Sequence, residues 1–578
     1  MKSEARIVVA LVAALVSGML AVHLGAQRGQ GGQQPQRDQP PPPTGTSIIQ
    51  GRLLDATTGA PVRRAYVRAI STGDVRVQRA TNTDADGRYQ VTTLPAGTYT
   101  VTASKSGYVD MSYGQTRPFE QAKPVTLGDH QTRDRIDLTL PRGGVITGRV
   151  LDEFGEPIAD ASVMPIRLLY TANGKRAQPS GRGSLTNDIG EFRLFGLAPG
   201  TYFISTQVRA QNVAIPSASA LAPVEASDGY APTYYPSAAS VAEAQSLTVG
   251  AGETLSDITV SLTPTRLSRV SGYVYDSQGS GRGGNVAAIE AGDTGMMAIG
   301  VGTFGGPVAP DGSFSINNLP PGRYLLRANL GNGPGGRRNG PPEIAVAPII
   351  VSGEDLSGVM LQPLAPITLD GRLIVDASAA TTLQARNLRV IAGPAMPGSP
   401  LAMPNQQSPA TVNNDLTFQL SVYPDTPVIA RLNNVPAGWM VRAVHLNGAD
   451  VTDGFTLRNE TSGHLDIELS NRAPSLSGQA IDGTGQPATN YTVIAFPADR
   501  SLWGSVLVNQ SALLHVSDGN PFTIQSLRPG SYALAASEQI DEQRWLDPEF
   551  LERAARVATR VDLMEGDTKT VTLKLATW

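Results

Sequence analysis

One short stretch of sequence appears four times along this chain and constrains the fold more than any other feature. The stretch TDADGRYQVTTLPAGTYTV occupies residues 83–101, and related stretches occupy residues 186–203, 309–326 and 518–534. Each copy begins with a turn rich in Asp, Asn and Gly, and a second turn with Pro and Gly follows. Apolar and polar residues alternate beside the turns, which is typical of half-buried strands. The repeat therefore predicts several β-rich units in tandem.

The repeat keeps a fixed distance between an aromatic residue and a turn glycine. In four copies that distance is eight residues: Tyr89 and Gly97, Phe192 and Gly200, Phe314 and Gly322, Phe522 and Gly530. We interpret the glycines as required by turn geometry and the aromatic residues as packing between two sheets. A further copy departs from the rule, because Phe418 precedes Gly438 by twenty residues. We expect an expanded loop or an added strand there.

A second element opens each unit and sets the number of units. In four copies a glycine precedes an aspartate by four positions: Gly51 and Asp55, Gly148 and Asp152, Gly272 and Asp276, Gly478 and Asp482. A fifth copy, GRLIVD, begins at Gly371. The five glycines are 97, 124, 99 and 107 residues apart. A spacing of this size, with six or seven short strands per interval, is typical of β-sandwich domains.

These spacings predict an all-β protein of five tandem Ig-like or prealbumin-like β-sandwich domains. The predicted sandwiches span residues 47–142, 143–265, 266–365, 366–472 (a divergent unit) and 473–578. The one helix signal lies at residues 547–557, where Asp547 can cap the helix and Pro548 fits its first position.

The N-terminus predicts export from the cytoplasm. Residues 1–26 combine early basic residues with an apolar run that ends in small residues, which is typical of a signal peptide. The alternative is an uncleaved anchor, because residues 7–26 are long enough to span a bilayer. Residues 27–46 form a Gln/Gly/Pro-rich linker. We expect a secreted, periplasmic or cell-envelope location, with membrane contact only through the N-terminal segment if it is uncleaved.

The motifs G-x-(V/L)-x-D, G-x-P-(V/I), D-x-x-G-x-(F/Y) and L-P-x-G-x-Y together resemble the carboxypeptidase regulatory-like domain. That family has a prealbumin-like sandwich and is close to the Cna-B-type domains of Gram-positive surface proteins. The match is best in units one, two and five and poorest in unit four. The resemblance implies a tandem-repeat secreted bacterial protein of unknown role. It also implies a link to carbohydrate-binding-like folds, because the superfamily includes starch-binding-like sandwiches.

The chemistry of an enzyme is largely missing from the sequence. The chain has no cysteine, and none of its five histidines lies in a zinc-protease motif. The stretch NTDADG at residues 82–87 matches half of an EF-hand loop, but Thr93 stands where a bidentate Glu is needed, so a plain turn is expected. A net charge of −4 argues against nucleic acid as a partner. We therefore predict no catalytic residue, no metal and no cofactor.

The sequence favours a non-catalytic interaction or structural module whose partner is an unknown envelope protein or polysaccharide. The alternative is a carbohydrate-binding protein of the cell surface, with Tyr230, Tyr234, Tyr235 and Trp503 as candidate ligand-binding residues. Aromatic rings in loops can stack on sugars, but packing against a sheet edge explains them equally well. An enzyme with an unfamiliar site is a third hypothesis, with no constellation of residues to support it.

Overall fold

The computed structural model of this protein describes residues 44–73, 77–120, 122–171, 174–208, 227–290, 304–332, 338–375, 383–395, 409–458, 462–503, 510–525, 527–538 and 540–577. Strands dominate this part of the chain, and the single α-helix within it, α1 (Pro548–Ala555), lies near the C-terminus. The expected class of tandem β-sandwiches is confirmed. The predicted signal peptide and the linker up to residue 43 lie outside the described residues. Units one to five denote the five predicted residue ranges, and the boundaries of the units stay a prediction.

The described residues of the first three units contain 26 strands. Unit one has β1 (Ser47–Asp55), β2 (Tyr66–Ser71), β3 (Gln78–Asn82), β4 (Arg88–Leu94), β5 (Gly97–Ser104), β6 (Met111–Ser112), β7 (Val125–Leu127), β8 (Thr132–Arg133) and β9 (Leu138–Leu140). Unit two has β10 (Gly144–Leu151), β11 (Ala161–Thr171), β12 (Gly174–Pro179), β13 (Ser184–Leu185), β14 (Glu191–Leu197), β15 (Gly200–Val208), β16 (Ser227–Tyr230), β17 (Thr233–Tyr234), β18 (Leu247–Val249) and β19 (Thr254–Ser261). Unit three has β20 (Pro264–Val274), β21 (Gly284–Glu290), β22 (Phe304–Val308), β23 (Ser313–Leu319), β24 (Gly322–Asn332), β25 (Arg338–Val351) and β26 (Leu356–Leu364).

The last two units contain the remaining strands and two short 3-10 helices. Unit four has β27 (Ile367–Val375), η1 (Ala385–Asn387), β28 (Arg389–Pro394), β29 (Ala410–Thr411), β30 (Thr417–Val422), β31 (Val428–Asn433), β32 (Met440–Leu446), β33 (Ala449–Asp450) and β34 (Gly463–Ser470). Unit five has β35 (Ser475–Ile481), β36 (Tyr491–Pro497), η2 (Arg500–Leu502), β37 (Ala512–Val516), β38 (Phe522–Gln525), β39 (Gly530–Ser537), α1, β40 (Thr559–Leu563) and β41 (Thr568–Lys574).

All units share one pairing scheme. The first long strand of each unit runs antiparallel to the strand with the repeated aromatic residue and parallel to the last strand: β1 with β4 and β9, β10 with β14 and β19, β20 with β23 and β26, β27 with β30 and β34, β35 with β38 and β41. A second sheet is centred on the pairs β2–β5, β11–β15, β21–β24, β28–β31 and β36–β39. Each unit buries its own apolar core between these two layers.

Unit three departs from an open sandwich, because its two layers are joined at both edges. Strand β22 pairs with β23 on one side, and β25 pairs with β26 on the other, so the ring β20-β23-β22-β21-β24-β25-β26 closes. The length of β25, which has 14 residues, lets it pair with both layers. Strand β16, from the predicted range of unit two, also pairs with β20.

Close packing explains the glycine that opens each unit. In unit two Gly148 lies opposite Phe192, and a β-carbon on Gly148 would lie 1.8 Å from the Ile258 carbonyl oxygen and 2.9 Å from Cζ of the Phe192 ring. The same opposition recurs in Gly51 and Tyr89, Gly272 and Phe314, Gly371 and Phe418, and Gly478 and Phe522. All five aromatic rings are buried. A glycine with an aromatic cross-strand partner is therefore the packing unit of each sandwich.

The second half of the repeated motif fixes its own turn. The tyrosine two positions after the turn glycine donates its hydroxyl to a backbone carbonyl four residues earlier: Tyr99 to Pro95 at 2.8 Å, Tyr202 to Ala198 at 2.6 Å, Tyr324 to Pro320 at 3.1 Å and Tyr532 to Arg528 at 2.7 Å. The turn glycines Gly97, Gly200 and Gly530 have φ values of +157°, +146° and +159°. At Gly322 the nearby ring of Tyr324, 3.1 Å from an added β-carbon, limits the space instead.

The repeated aspartates also serve the local fold. The carboxylates of Asp152, Asp276 and Asp482 accept hydrogen bonds from the backbone N–H groups two and four residues later. This arrangement closes the turn that follows the first long strand of the unit. In unit one Asp55 accepts from the N–H groups two and three residues later and has further partners, described below.

Candidate functional site

Arg142, the last residue of unit one, is held at the junction with unit two. Arg142 places its Nε 3.2 Å from Oδ2 of Asp55, and the same oxygen accepts a hydrogen bond of 3.0 Å from the hydroxyl of Tyr108. The guanidinium also lies 5.6 Å from the centre of the Tyr108 ring. The backbone N–H of Gly143 donates a 3.0 Å hydrogen bond to the Gly107 carbonyl. The ion pair lies within unit one beside the junction, and the backbone bonds of Gly143 to Gly107 and of Gly252 to the Arg142 carbonyl connect unit two to it.

The carboxylate of Asp55 is ionised at neutral pH although it is only 3% exposed. Burial by itself would raise its pKa, but hydrogen bonds from the Thr58 and Thr57 backbones and from Tyr108 outweigh burial and lower the pKa to about 2. The other repeated aspartates close their turns without a cation within ion-pair distance among the described residues. Asp55 thus closes the turn of the repeat and also forms the ion pair with Arg142 at the end of unit one.

A cleft of about 500 Å³ lies beside this contact, between units one and two. Its unit-one wall includes Tyr66 and Phe119, and its unit-two wall includes Phe195 and Tyr202. Tyr66 is 44% exposed and Phe119 is 39% exposed, so both rings present apolar surface to solvent. A volume of this size falls in the range of small-ligand sites. We name this feature the inter-unit cleft.

The charges around the inter-unit cleft are mostly positive. Arg64, Lys105 and Arg182 line it, together with one carboxylate, Asp110. The ammonium of Lys105 is held at 3.1 Å by the backbone carbonyl of Arg64. Desolvation raises the pKa of Asp110, while Arg182 and the nearby Arg68 oppose that change. The cleft therefore combines exposed aromatic rings with an excess of cations.

A buried arginine lies behind the aromatic wall and connects three units. Arg167 of β11 has a side chain that is only 4% exposed, and its guanidinium lies 4.9 Å from the ring centre of Phe119 in unit one and 5.4 Å from that of Tyr202. Its Nη2 lies 3.3 Å from Oδ2 of Asp541 in unit five. Its Nη1 is buried without a hydrogen-bond partner. A buried charge of this kind is stabilised only while its partners stay in place.

The partner of Arg167 belongs to a segment that leaves unit five between β39 and α1. We call residues 540–547 the docking segment. Its Gln543 carbonyl accepts a 2.6 Å hydrogen bond from the Tyr170 backbone N–H of unit two. The ring of Tyr170 packs against the apolar cluster beneath α1, which includes Phe550. In addition, Arg117 of unit one donates a 3.3 Å hydrogen bond to the carbonyl of Glu538.

Unit five holds the docking segment through His515. The ring Nε2 of His515 makes a short contact with the carboxylate of Glu542, and its Nδ1 lies 2.7 Å from the hydroxyl of Thr492. The bond to Glu542 raises the pKa of His515, although burial opposes this. A protonated His515 therefore clamps the docking segment onto β37.

The three tyrosines that the sequence suggests as ligand-binding residues differ in how deeply they are buried. Tyr234 is 4% exposed and packs in a small apolar cluster with Val241. Tyr235 and Tyr230 are half-buried against the core of unit two. The hydroxyl of Tyr230 donates to Glu153 at 2.7 Å, and this bond raises the pKa of Tyr230 to about 12. Ligand contact by these residues stays a prediction.

Trp503 lies in unit five, far along the chain from the tyrosines, and is half-buried. Its ring packs edge-on against Phe496 with 5.9 Å between centres, and its Nε1 donates to the Pro497 carbonyl at 2.9 Å. It lines a small cavity of about 80 Å³ together with Arg500, Arg556 and Arg560. A role in ligand binding stays a prediction for Trp503 as well.

Sequence reasoning missed the residues of the inter-unit cleft because none of them belongs to the repeat. A signal did exist for Tyr66, since Ala65, Val67 and Ala69 point into the core and Tyr66 alternates with them. A large ring on the outer face of a strand is a candidate contact residue. Phe119 and Arg167 carry no comparable signal, because only the arrangement of three units brings them together.

Two features are absent from the described residues. No three His, Asp or Glu side chains lie close enough to hold a metal ion there. Over the same ranges, no helix has the length and apolar character needed to cross a membrane.

The comparisons with known proteins concern the individual units. Residues 48–141 match the model of the carboxypeptidase regulatory-like domain. No curated protein matches the chain. Similar solved structures include a minor pilin of Streptococcus agalactiae, with 11% identity, a TM-score of 0.20, and coverage of 38% of this chain and 96% of the pilin. A streptococcal ancillary pilin has 12% identity, a TM-score of 0.18, and coverage of 55% of this chain and 98% of the pilin.

A shaft pilin of Lactobacillus rhamnosus is similar at 12% identity, with a TM-score of 0.17 and coverage of 38% of this chain and 98% of the pilin. The family match lies on unit one, where the repeated motifs are among the most complete. The first of the five units is therefore similar to the carboxypeptidase regulatory-like domain, as its motifs predict.

Proposed function

We propose that this chain is a non-catalytic structural and interaction module of the cell envelope. Its five sandwiches form a scaffold in which unit five is docked on units one and two. The observation that carries the proposal is the contact of Arg167 with Asp541 and Phe119, which ties together residues from three units. A scaffold of this kind presents surfaces from distant parts of the chain at fixed distances.

The use of the repeated residues supports the structural part of the proposal. The glycines, aromatic residues, tyrosine hydroxyls and aspartates of the motif are engaged in packing or in hydrogen bonds within their own unit. A repeated binding site would need repeated side chains that point to solvent. The motif therefore favours a fold element over a repeated ligand site.

Carbohydrate binding is a second candidate function, and the inter-unit cleft favours it. Exposed aromatic rings beside polar groups, as found with Tyr66 and Phe119, are suited to the apolar faces and hydroxyls of sugars. The candidate site then lies between two units and not on the loop tyrosines.

An engineered disulfide tests the docked scaffold cleanly, because the chain contains no cysteine. Tyr170→Cys and Gln543→Cys place one thiol on each side of the contact between units two and five, where the backbones share a hydrogen bond. We expect the full chain to form this disulfide under mild oxidation and to migrate faster on a non-reducing gel. Tyr170→Cys paired with Ser256→Cys, an exposed residue of β19, is the matched control. Failure of the first pair to cross-link would contradict the docked arrangement.

The envelope role is tested in the native host by fractionation and capture. We expect the full chain in the envelope fraction, where it retains an envelope component in a pull-down. The oxidised double variant, Tyr170→Cys with Gln543→Cys, should retain the same component, since the disulfide locks it in the proposed arrangement. Recovery of the chain in the cytoplasmic fraction, or turnover of a substrate by it, would contradict the proposal.

A further inference from the structure

We infer that the inter-unit cleft is a binding site for a carboxylate-bearing saccharide. The inference deepens the second candidate function by naming the site and the chemical class of its ligand. It rests on the cleft between units one and two and not on the tyrosines of the 230–236 loop. In this site the exposed aromatic residues stack on the sugar ring, and the cations beside them bind the carboxylate of the ligand.

The aromatic part of the site consists of surface that the fold leaves uncovered. Tyr66 and Phe119 are two large apolar side chains with substantial exposure, and both line this one cleft. The ring of Phe119 is held from behind by the guanidinium of Arg167, 4.9 Å from the ring centre. A ring supported in this way is rigid and loses little conformational entropy when a ligand binds.

Two residues of the site have a strained backbone. Phe119 has a φ of +73° and Arg64 has a φ of +53°, a region that residues other than glycine rarely adopt. Strain of this kind persists where the surrounding structure imposes it, and it concentrates at binding sites. Both residues line the inter-unit cleft, and they are two of thirteen described non-glycine residues with a positive φ.

The cations supply recognition of a carboxylate. Arg64 and Arg182 are exposed at the cleft, and neither guanidinium makes a hydrogen bond or ion pair within bonding distance of a described side chain. A guanidinium can donate two parallel hydrogen bonds to one carboxylate. Lys105 uses two of its three donors on backbone carbonyls, so these two arginines supply most of the donors available for a ligand.

Asp110 distinguishes a saccharide from an acidic peptide. Its carboxylate lines the cleft beside Arg182 and has the capacity to accept hydrogen bonds from sugar hydroxyls. The ionised side chains of an acidic peptide are acceptors only and offer no such donor to Asp110. A peptide could not add as a strand here either, because β2, which carries Tyr66, already pairs with β3 and β5.

Calorimetric titration of the purified chain with three hexamers tests the inference: a galacturonate hexamer, the neutral galactose hexamer and a glutamate hexamer. We expect the galacturonate hexamer to bind at least tenfold more tightly than the other two, with affinity falling as salt rises. Binding of the glutamate hexamer with equal affinity would overturn the saccharide assignment. Equal binding of the neutral hexamer would overturn the role of the carboxylate.

Matched charge variants then assign the binding to the cleft. Arg64→Ala with Arg182→Ala should weaken galacturonate binding at least tenfold. Arg88→Ala with Arg323→Ala removes the same charge from exposed positions away from the cleft and should leave the affinity within twofold. Equal losses in both double variants would overturn the site. Melting curves verify that both variants stay folded.

A third variant, Tyr66→Ala, removes the exposed ring without changing charge. We expect it to weaken binding of the galacturonate hexamer at least threefold, and unchanged affinity would exclude ring stacking from the site. These titrations use purified protein and do not depend on where the cell places it. A chain that binds galacturonate but is found in the cytoplasm would contradict the envelope role and leave this site intact.

Discussion

Gly371 lies directly opposite Phe418 in the fourth unit, and a β-carbon on Gly371 would lie 2.3 Å from Cζ of the Phe418 ring. This is the same relationship that Gly148 has with Phe192 in the second unit. The divergent unit therefore keeps the packing core of the repeat although its later turn is different. Strand β31 follows Phe418 and pairs with β28, so Gly438 belongs to the next turn along the chain. By this pairing β31 takes the place that β5 has in unit one, so the interval between Phe418 and Gly438 is longer because it contains this strand, and Gly438 is not the counterpart of Gly97.

Substitution of a buried glycine in this packing unit should destabilise its sandwich. In unit five a β-carbon on Gly478 would lie 1.9 Å from the Val571 carbonyl oxygen and 2.8 Å from the Phe522 ring. We expect Gly478→Ala to lower the free energy of unfolding of this unit by about 1–3 kcal/mol or more. Hydrogen exchange of the amides in β35 and β41 measures the change. Gly483→Ala is the control, because nothing lies within 4 Å of its β-carbon, and equal losses would contradict the steric explanation.

Removal of the turn-fixing hydroxyl should have a smaller effect. Tyr532 is 3% exposed, and its hydroxyl donates to the Arg528 carbonyl at 2.7 Å. We expect Tyr532→Phe to cost about 0.5–1.5 kcal/mol, the usual contribution of one such hydrogen bond. Chemical denaturation followed by hydrogen exchange in β39 gives the value. Tyr273→Phe, on a ring that is 46% exposed, should be neutral. A neutral Tyr532→Phe would mean that the hydroxyl does not stabilise the turn.

The ion pair of Asp55 and Arg142, at the junction of units one and two, should weaken in acid. The pKa of Asp55 falls from an ordinary 3.8 to about 2 in the folded chain. A depressed carboxyl pKa stabilises the folded state above pH 3.8, and that stabilisation is lost as the pH falls from about 4 through about 2. At neutral pH we expect Asp55→Asn to cost on the order of 1–3 kcal/mol, since a charge-assisted bond to Arg142 is lost.

The difference in unfolding free energy between the wild type and Asp55→Asn should shrink as the pH falls through that window. Measuring the difference cancels the other carboxylates, which titrate in both proteins. Asp482→Asn is the matched comparison, because Asp482 closes the same kind of turn without an ion pair to an arginine. A pH-independent difference for Asp55 would contradict its ionised role in the contact.

The docking segment should loosen in alkali. The bond to Glu542 raises the pKa of His515 above its ordinary 6.5. A raised histidine pKa stabilises the folded contact below pH 6.5, and the stabilisation is lost as the pH rises through the folded pKa. We expect hydrogen-exchange protection of residues 540–547, corrected for intrinsic rates, to fall between pH 6 and pH 9. His515→Gln should abolish this pH dependence, and unchanged protection in the wild type would contradict the clamp.

The sequence by itself determined the internal design of the units. The spacing of the turn glycines and aromatic residues predicts the strands and turns of each unit and the packing of the rings between two sheets, because these features follow from local patterns. The cap formed by Asp547 and Pro548 predicts α1, whose first helical residue is Pro548. Both features depend on residues close in sequence or on a repeated register, and such information is visible in a single chain.

Only the tertiary structure decided how the units meet. The inter-unit cleft and the ion pair of Arg167 with Asp541 join residues from different units that share no periodicity, and the ion pair spans 374 residues of sequence. Nothing in the local pattern around Arg167 marks it as buried, because its burial is due to Phe119 and Asp541, which come from two other units. Contacts of this kind depend on shape and charge across whole surfaces, and no fixed spacing in the sequence encodes them.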